Sequence, residues 1–246
     1  MKHYGLIGRT LTHSFSQTYF TQKFANENIA ADYTLCEVPS GDHLPQILAK
    51  KWDGLNVTIP YKTAIVPLLD ALSPEAQTIG AVNTIKFDRQ GDRCRMVGYN
   101  TDAIAFEQSL RPLLAPHHDK ALVLGTGGAS RAVTFVLDKL GIEWIYVSRE
   151  AGPRRLDYAE TDAEVVAAHR LIINTTPLGM YPEVEEYPDI PYRALTPQHL
   201  LFDLVYNPTK TQFLAKGEAF GATIKNGTEM LHLQAEAAYR IWIAAE

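Results

Sequence analysis

Cysteine is nearly absent from this 246-residue chain. Cys36 and Cys94 stand alone, without the Cys-x-x-Cys spacing of a zinc site or the density of a disulfide framework. No metal is expected. Long apolar runs are missing too: Ala121-Leu122-Val123-Leu124 and Leu171-Ile172-Ile173 fall far short of the roughly 20 residues that cross a bilayer. Basic charge is in deficit, with 23 Lys and Arg against 28 Asp and Glu, where a nucleic-acid binder would show a basic surplus. There is no repeat or low-complexity segment, and 46% hydrophobic against 21% charged residues is the balance of a folding chain. Met1-Lys2-His3-Tyr4 runs straight into a strand-like segment, so no signal peptide is expected. A cytoplasmic globular protein remains, of one large domain or two small ones.

Short apolar runs alternate with helical patterns. Strands are expected at His3–Gly8, Tyr33–Val38 and Gly54–Ile59, with helices at Gln17–Asn28 and Leu44–Lys51 between them. That rhythm predicts a parallel sheet with crossover helices. Two further strands, Ala81–Phe87 and Cys94–Gly98, flank the turn-forming Arg89-Gln90-Gly91-Asp92 and predict an antiparallel edge. A helix over Asp102–Leu114 should bury Ile104, Phe106 and Leu110. A second α/β series follows, with strands at Ala121–Gly125, Trp144–Val147, Leu171–Ile173, Leu200–Asp203 and Ala222–Ile224. A last helix, apolar at Met230, Leu231, Leu233, Ala237, Ala238 and Ile241, runs from about Thr228 to the end. Two α/β lobes with a cleft between them are expected, divided near residue 101.

Gly125-Thr126-Gly127-Gly128-Ala129-Ser130 sits between a strand and the helical Ala132–Leu140. Glycine lets the chain turn tightly and brings backbone N–H groups close to a pyrophosphate, which the helix N-terminus also attracts. Ser130 stands where a third glycine or alanine is usual, and a plain glycine-rich turn is the alternative. The next strand ends at Val147-Ser148-Arg149-Glu150. Arg149 lies twenty-four residues beyond Gly125, where an NAD site places an acid. Its guanidinium suits the 2′-phosphate of NADP, although Glu150 beside it would repel that group.

Polar clusters recur at element ends. Ser14-Phe15-Ser16, preceded by His13, opens a helix, and its hydroxyls could hold an anion or cap the helix; for Ser16 alone capping is favoured. In Asn56-Val57-Thr58-Ile59-Pro60-Tyr61-Lys62, Asn56 and Thr58 share a strand face. Pro60 ends that strand, and Lys62 is expected to begin a helix beyond its carboxyl end, where open sheets bind ligands. For Lys62 taken alone, a solvent-facing lysine is the favoured reading. In Gly98-Tyr99-Asn100-Thr101-Asp102, Asn100 or Thr101 could cap the following helix.

Taken in order, these segments resemble the shikimate dehydrogenase family over nearly the whole length. The landmarks already quoted are joined by Gly80-Ala81-Val82-Asn83-Thr84, Asn174-Thr175-Thr176-Pro177-Leu178-Gly179-Met180, Asp203-Leu204-Val205-Tyr206-Asn207-Pro208, and Asn226-Gly227 through Gln234. The resemblance implies reversible, NADP-dependent reduction of 3-dehydroshikimate to shikimate in aromatic amino-acid biosynthesis. It implies a substrate-binding catalytic domain at 1–101, joined by the helix 228–246, and a Rossmann-like NADP-binding domain at 102–227. By motif position, Ser14, Ser16 and Tyr206 would hold the substrate carboxylate. Thr58, Asn83, Asp102 and Gln234 would bind ring hydroxyls, and Lys62 would be the acid/base, oriented by Asp102. Gly125, Thr126, Gly127, Gly128, Ala129, Ser148 and Arg149 would hold the cofactor, with Leu204 and Gly227 beside its nicotinamide half.

Two departures stand out. The family's Asn-Arg-Thr is Ser148-Arg149-Glu150 here, and the stretch from Arg149 to Asn174 is short, which implies a reduced helix near the adenosine end. The expected partner is a small molecule, not nucleic acid or membrane, with the chain a monomer or homodimer whose lobes close around the ligands. Competing readings are an NAD-using quinate/shikimate dehydrogenase, a two-lobed NADP enzyme acting on a folate or aldehyde, and a sensor that binds shikimate-like acids without turnover.

Overall fold

The structure, a computed structural model, describes residues 1–11, 14–91 and 93–244, so His13 and Asp92 of the quoted motifs lie outside the described residues. The chain divides into two compact units, residues 1–101 with 235–246, and residues 102–234.

The first unit contains β1 (Lys2–Gly8), α1 (Phe15–Asn26), β2 (Ala31–Glu37), α2 (Leu44–Leu48), β3 (Gly54–Val57), β4 (Ala71–Leu72), α3 (Pro74–Ile79), β5 (Thr84–Gln90) and β6 (Arg93–Tyr99). Its sheet has the order β2-β1-β3-β5-β6-β4. β1 is the inner of three parallel strands, pairing along its length with β2 and from Tyr4 to Ile7 with β3. Its apolar Tyr4–Ile7 stretch is buried, as a parallel strand covered on both faces requires. The hairpin of β5 and β6 pairs antiparallel from Thr84↔Tyr99 to Gln90↔Arg93. It was expected as the sheet edge, but β4 runs parallel beside β6 and takes that place. Two residues are too few to leave a periodic signal.

Helix α1 starts two residues earlier than the apolar spacing predicts, because Ser14 caps it and accepts from Gln17 N. Lys62 begins no helix. Residues 59–65 form successive turns leading into a 3₁₀ turn at Val66–Leu68. Pro67 has no N–H to donate back to Thr63, and the Lys62 carbonyl accepts from Val82 N at 2.7 Å. One face of the sheet packs on an aromatic core that includes Tyr4, Phe20, Phe24 and Tyr33, joined by Trp242 from the chain's last helix. The Trp242 ring stacks on Tyr4 with centroids 4.6 Å apart, and its Nε1–H donates to the Ile85 carbonyl at 3.0 Å.

The second helical–strand series comprises α4 (Thr101–Leu110), β7 (Lys120–Leu124), α5 (Gly128–Leu140), β8 (Glu143–Ser148), β9 (Arg155–Asp157), α6 (Ala163–Ala168), β10 (Leu171–Asn174), β11 (Leu200–Asp203), α7 (Gln212–Ala219), β12 (Thr223–Lys225) and α8 (Thr228–Ile243). Its sheet is parallel throughout, in the order β12-β11-β10-β7-β8-β9, the doubly wound arrangement the sequence predicts. β10, β11 and all but the first residue of β7 are buried. On α4, Phe106 and Leu110 are buried as expected, and Phe106 meets Phe202 edge-on at 5.1 Å. Ile104 was expected with them but is 44% exposed, because it lies about 100° round the helix from the buried line of Ala103, Phe106 and Leu110.

Replacing Trp242 by alanine removes a stacked, hydrogen-bonded anchor of the first unit. Urea unfolding followed by circular dichroism should show a loss of about 3–5 kcal/mol.

Candidate functional site

In the first unit the polar side chains gather where the parallel strands end. Thr58, just past β3, donates its N–H to the Ile7 carbonyl at 2.8 Å and is half-buried. Ser14 is the N-cap of α1 and Ser16 sits in its first turn, which reverses the expectation that Ser16 is the cap. Both are half-buried, as is Lys62. The neighbouring Tyr33 phenol, pushed far above its ordinary pKa by burial, donates to Asn56 Oδ1 at 2.8 Å.

Asn83 is 3% exposed and grips the start of α4. Its Oδ1 accepts from Thr101 N at 2.7 Å, and its Nδ2 donates to Thr101 Oγ1 at 2.9 Å. The first N–H of α4 is therefore satisfied by a side chain eighteen residues upstream, while Asn100 Nδ2 donates to the Ala81 carbonyl at 2.9 Å. Asp102 follows Thr101 in the chain, is buried, and lies in the first helical turn, where a carboxylate is favoured.

In the second unit the glycine turn follows β7. Gly125 has φ +97°, and a Cβ there would come within 2.8 Å of Thr176 Cγ2 and 3.0 Å of Thr175 Oγ1. Only glycine fits. Gly127 is the N-cap of α5 and supplies no side-chain hydrogen bond, and a Cβ built on it would meet nothing within 4 Å. The space before this helix N-terminus is open, and the turn Gly125, Thr126, Gly127, Gly128, Ala129 fits a pyrophosphate. Ser130 is buried and its hydroxyl donates to the Gly127 carbonyl at 2.7 Å, so the serine stands in for a small residue with its polar atom satisfied. Gly125 N donates to the Val147 carbonyl at 2.8 Å, which sets Ser148 beside the turn. Arg149 and Glu150 are both exposed, and between them and α6 lie only β9 and turns.

Beyond β10 and β11 a buried network that sequence reasoning did not anticipate holds the loops. Asp203, at 0% exposure, accepts from Asn174 Nδ2 at 3.0 Å, Val205 N at 3.0 Å and Thr211 Oγ1 at 2.6 Å. Burial nevertheless pushes its carboxyl up to about 6, against the opposing pull of those bonds. Asn174 Oδ1 accepts from the N–H and hydroxyl of Thr176, while Thr175 Oγ1 donates to the Leu124 carbonyl at 2.7 Å. Leu204 and Gly227 lie together: a Cβ on Gly227 would fall 2.2 Å from the Leu204 carbonyl oxygen, so glycine is required there as well. Tyr206 is half-buried, its phenol pushed up by burial. Gln234, on α8, donates from Nε2 to the Leu231 carbonyl at 3.0 Å. Among the described residues no cluster of His, Cys, Asp or Glu could hold a metal ion, and no helix is long and apolar enough to cross a membrane.

Comparison with known proteins bears on both units. Residues 6–85 match the family model of the shikimate dehydrogenase substrate binding domain. The shikimate dehydrogenase (NADP(+)) of Moorella thermoacetica is 38% identical over 264 residues, spanning 98% of this chain and 88% of that protein. Among solved structures, the chorismate mutase/shikimate 5-dehydrogenase fusion protein of Clostridium acetobutylicum superposes with a TM-score of 0.87 at 34% identity, covering 99% of this chain and 91% of that one. Shikimate 5-dehydrogenase of Thermus thermophilus, in complex with NADP(H) and shikimate, gives 0.86 at 32% identity, covering 99% and 94%.

The Asp203 carboxyl lies above its unfolded value of 3.8, so its ionisation opposes folding. Its contribution is most favourable at low pH and is lost as pH rises from about 4 to about 6. An Asp203→Asn variant should therefore gain stability relative to the parent chain over that interval, and urea midpoints measured at each pH check it.

Proposed function

The chain belongs to the shikimate dehydrogenase family and is an NADP-dependent shikimate dehydrogenase, and on that premise we propose how its residues divide the reversible reduction of 3-dehydroshikimate to shikimate. When bound, the reduced cofactor supplies the hydride that reaches the carbonyl carbon. The carbonyl oxygen then needs a proton, which Lys62 delivers; in the reverse direction Lys62 removes it from the hydroxyl. Asp102 accepts a hydrogen bond from the reacting hydroxyl and holds it towards that ammonium.

The observation that carries the reading is the backbone at residues 82–83. Val82 N holds the Lys62 carbonyl at 2.7 Å, and the next residue, Asn83, holds Thr101, the residue before Asp102. The chain segments that carry the proposed proton donor and carboxylate, forty residues apart in sequence, are thus held by two adjacent residues.

The remaining roles follow from the side chains available. The hydroxyls of Ser14, Ser16 and Tyr206 receive the substrate carboxylate, and Thr58, Asn83, Asp102 and Gln234 bind the ring hydroxyls. Asn83 brings a second amide hydrogen beyond the one given to Thr101. Residues 125–129 hold the pyrophosphate through backbone N–H groups, and Ser148 and Arg149 take the adenosine end. Leu204 and Gly227 border the nicotinamide. In domain terms, 1–101 with the helix 228–246 serves substrate and 102–227 serves NADP. The proposed setting is the cytoplasm, with the chain a monomer or homodimer.

Lys62→Ala should lower kcat by about 10²–10⁴-fold with little change in the KM for shikimate, read from the absorbance of the reduced nicotinamide. Near-normal turnover would remove Lys62 from the mechanism. Arg149→Ala should raise the KM for NADP roughly tenfold and leave that for NAD unchanged, as loss of a charge-assisted phosphate contact predicts.

A further inference from the structure

Two turns in the second unit have the same make-up. Ala115-Pro116-His117-His118 leads towards β7, and Thr196-Pro197-Gln198-His199 leads into β11. In each, the N–H of the last histidine donates to the carbonyl of the first residue at 2.9 Å. In each, the ring of that histidine also reaches back, and its Nδ1 accepts from the N–H of the first residue at 3.0 Å. This is the reciprocal pairing of a capping box, with imidazole in the place of glutamate or glutamine. The other ring nitrogen faces a carbonyl. His118 Nε2 lies 3.0 Å from the Gln198 oxygen, in the second turn, and His199 Nε2 lies 3.1 Å from the Val166 oxygen of α6. The rings thus lace one turn to the other and the second turn to α6, which leads into β10, the strand between β7 and β11.

A carbonyl only accepts, so Nε2 carries the hydrogen and Nδ1 carries none. Both rings are fixed as the neutral Nε2–H tautomer. A second proton would sit on Nδ1 and point at an N–H. At His199 the Thr196 hydroxyl, 3.0 Å from Nδ1, can receive that proton, although the Thr196 N–H then loses its acceptor. The first turn has alanine at this place, so His118 is the less tolerant ring. His118 is 7% and His199 1% exposed, and burial holds both rings below the usual histidine pKa. His117, whose ring meets His118 edge-on at 4.4 Å, and Arg170 add repulsion against a positive charge. On the adjoining elements, His169 Nδ1 bonds the Val165 carbonyl at 2.7 Å, Lys120 and Arg193 are exposed, and so are the acids Asp119, Glu143, Asp162 and Glu164.

We propose that the two histidine turns form an acid-opened latch on the cofactor unit: the neutral rings hold the starts of β7 and β11 to each other and to α6, and proton uptake in mild acid releases them and opens the NADP-binding fold as one piece. This rests on the assignment of NADP to the second unit made above. β7 runs on into Gly125 and β11 into Leu204, so latch and cofactor lie at opposite ends of the same two short strands. Elements joined this closely open together rather than singly. The direction follows from linkage. A ring whose pKa falls on folding contributes its stability above the unfolded value of about 6.5, and that contribution is lost as the pH drops below it.

The test is amide hydrogen exchange on the full chain, corrected for the intrinsic effect of pH, with and without NADP. Between pH 6.5 and 5.5, exchange at Ala115 and Thr196, and at Val123 and Phe202 within the strands, should quicken about tenfold, the two rings outweighing Asp203, which acts in the opposite sense. NADP at a hundred times its Kd should slow all four about a hundredfold, since it binds only the closed fold. His118→Gln, whose Oε1 can still accept from Ala115 N but does not titrate, should remove about fivefold of the pH effect. Exchange that does not quicken in acid, or a His118→Gln protein with the pH effect of the parent, overturns the latch. Quickening confined to Ala115 and Thr196 and untouched by NADP shows fraying of two turns and overturns it as well. Should His118→Gln fail to fold, the ring ¹⁵N shifts of the parent decide: a charged His118 at pH 6.5 in a chain with protected strands is the overturning result, a neutral Nε2–H ring the supporting one. The cofactor assignment is read separately, at pH 7.5, where NADP should protect the amides of residues 127–130 by direct contact. If it does not, that assignment fails and the inference falls with it.

Discussion

An amide side chain on one segment caps a helix that begins on another, and the start of α4 depends on that bond. A helix start leaves N–H groups without intrahelical partners, and burying them unpaired is costly. Asn83 meets this requirement for α4 with Oδ1 and binds the Thr101 hydroxyl with Nδ2. The position of Asp102 then follows from chain connectivity. The residue before Asn83 also fixes the backbone of Lys62, so the two groups proposed to cooperate in moving a proton are attached to chain segments held by adjacent residues. Preorganisation of this sort means that little rearrangement is needed when charge shifts.

The second unit reaches the same end by different means. Its loops depend on the absence of side chains: Gly125 and Gly227 occupy places where a single added carbon would strike Thr176 or the Leu204 carbonyl. Behind them, the loops after β10 and β11 are tied to one buried carboxyl, Asp203, with three donors converging on it. A buried acid strains against its own ionisation, yet it accepts from a backbone N–H, an amide and a hydroxyl at once. Loop geometry is gained at the expense of some stability near neutral pH.

Much of this was legible in the sequence, for reasons that differ between elements. β1, β7, β10 and β11 are buried on both faces and read as unbroken apolar runs. The glycine turn was legible because its residue types and its place between a strand and a helix go together, as β7 and α5 show. Three helices escaped notice because they are short, although each carried a cap: Ser73 with Pro74 before α3, Asp162 before α6 and Thr211 before α7. Lys62 was misread as opening a helix because the effect of Pro67, five residues on, was not weighed. Ile104 was misplaced because apolar character was taken for burial. Asp203 could not have been found this way at all. An aspartate at a strand end becomes significant only when tertiary packing closes water away from it and supplies its partners.

The exposed setting of Arg149 has its own consequence. The cation expected to distinguish the two nicotinamide dinucleotides stands in open solvent, beside an exposed glutamate and with no long helix following it. Mobile ions damp such a charge over a distance of about 8–10 Å at ordinary ionic strength. With Arg149 in the proposed role, discrimination between the dinucleotides is therefore tied to the electrolyte around the protein.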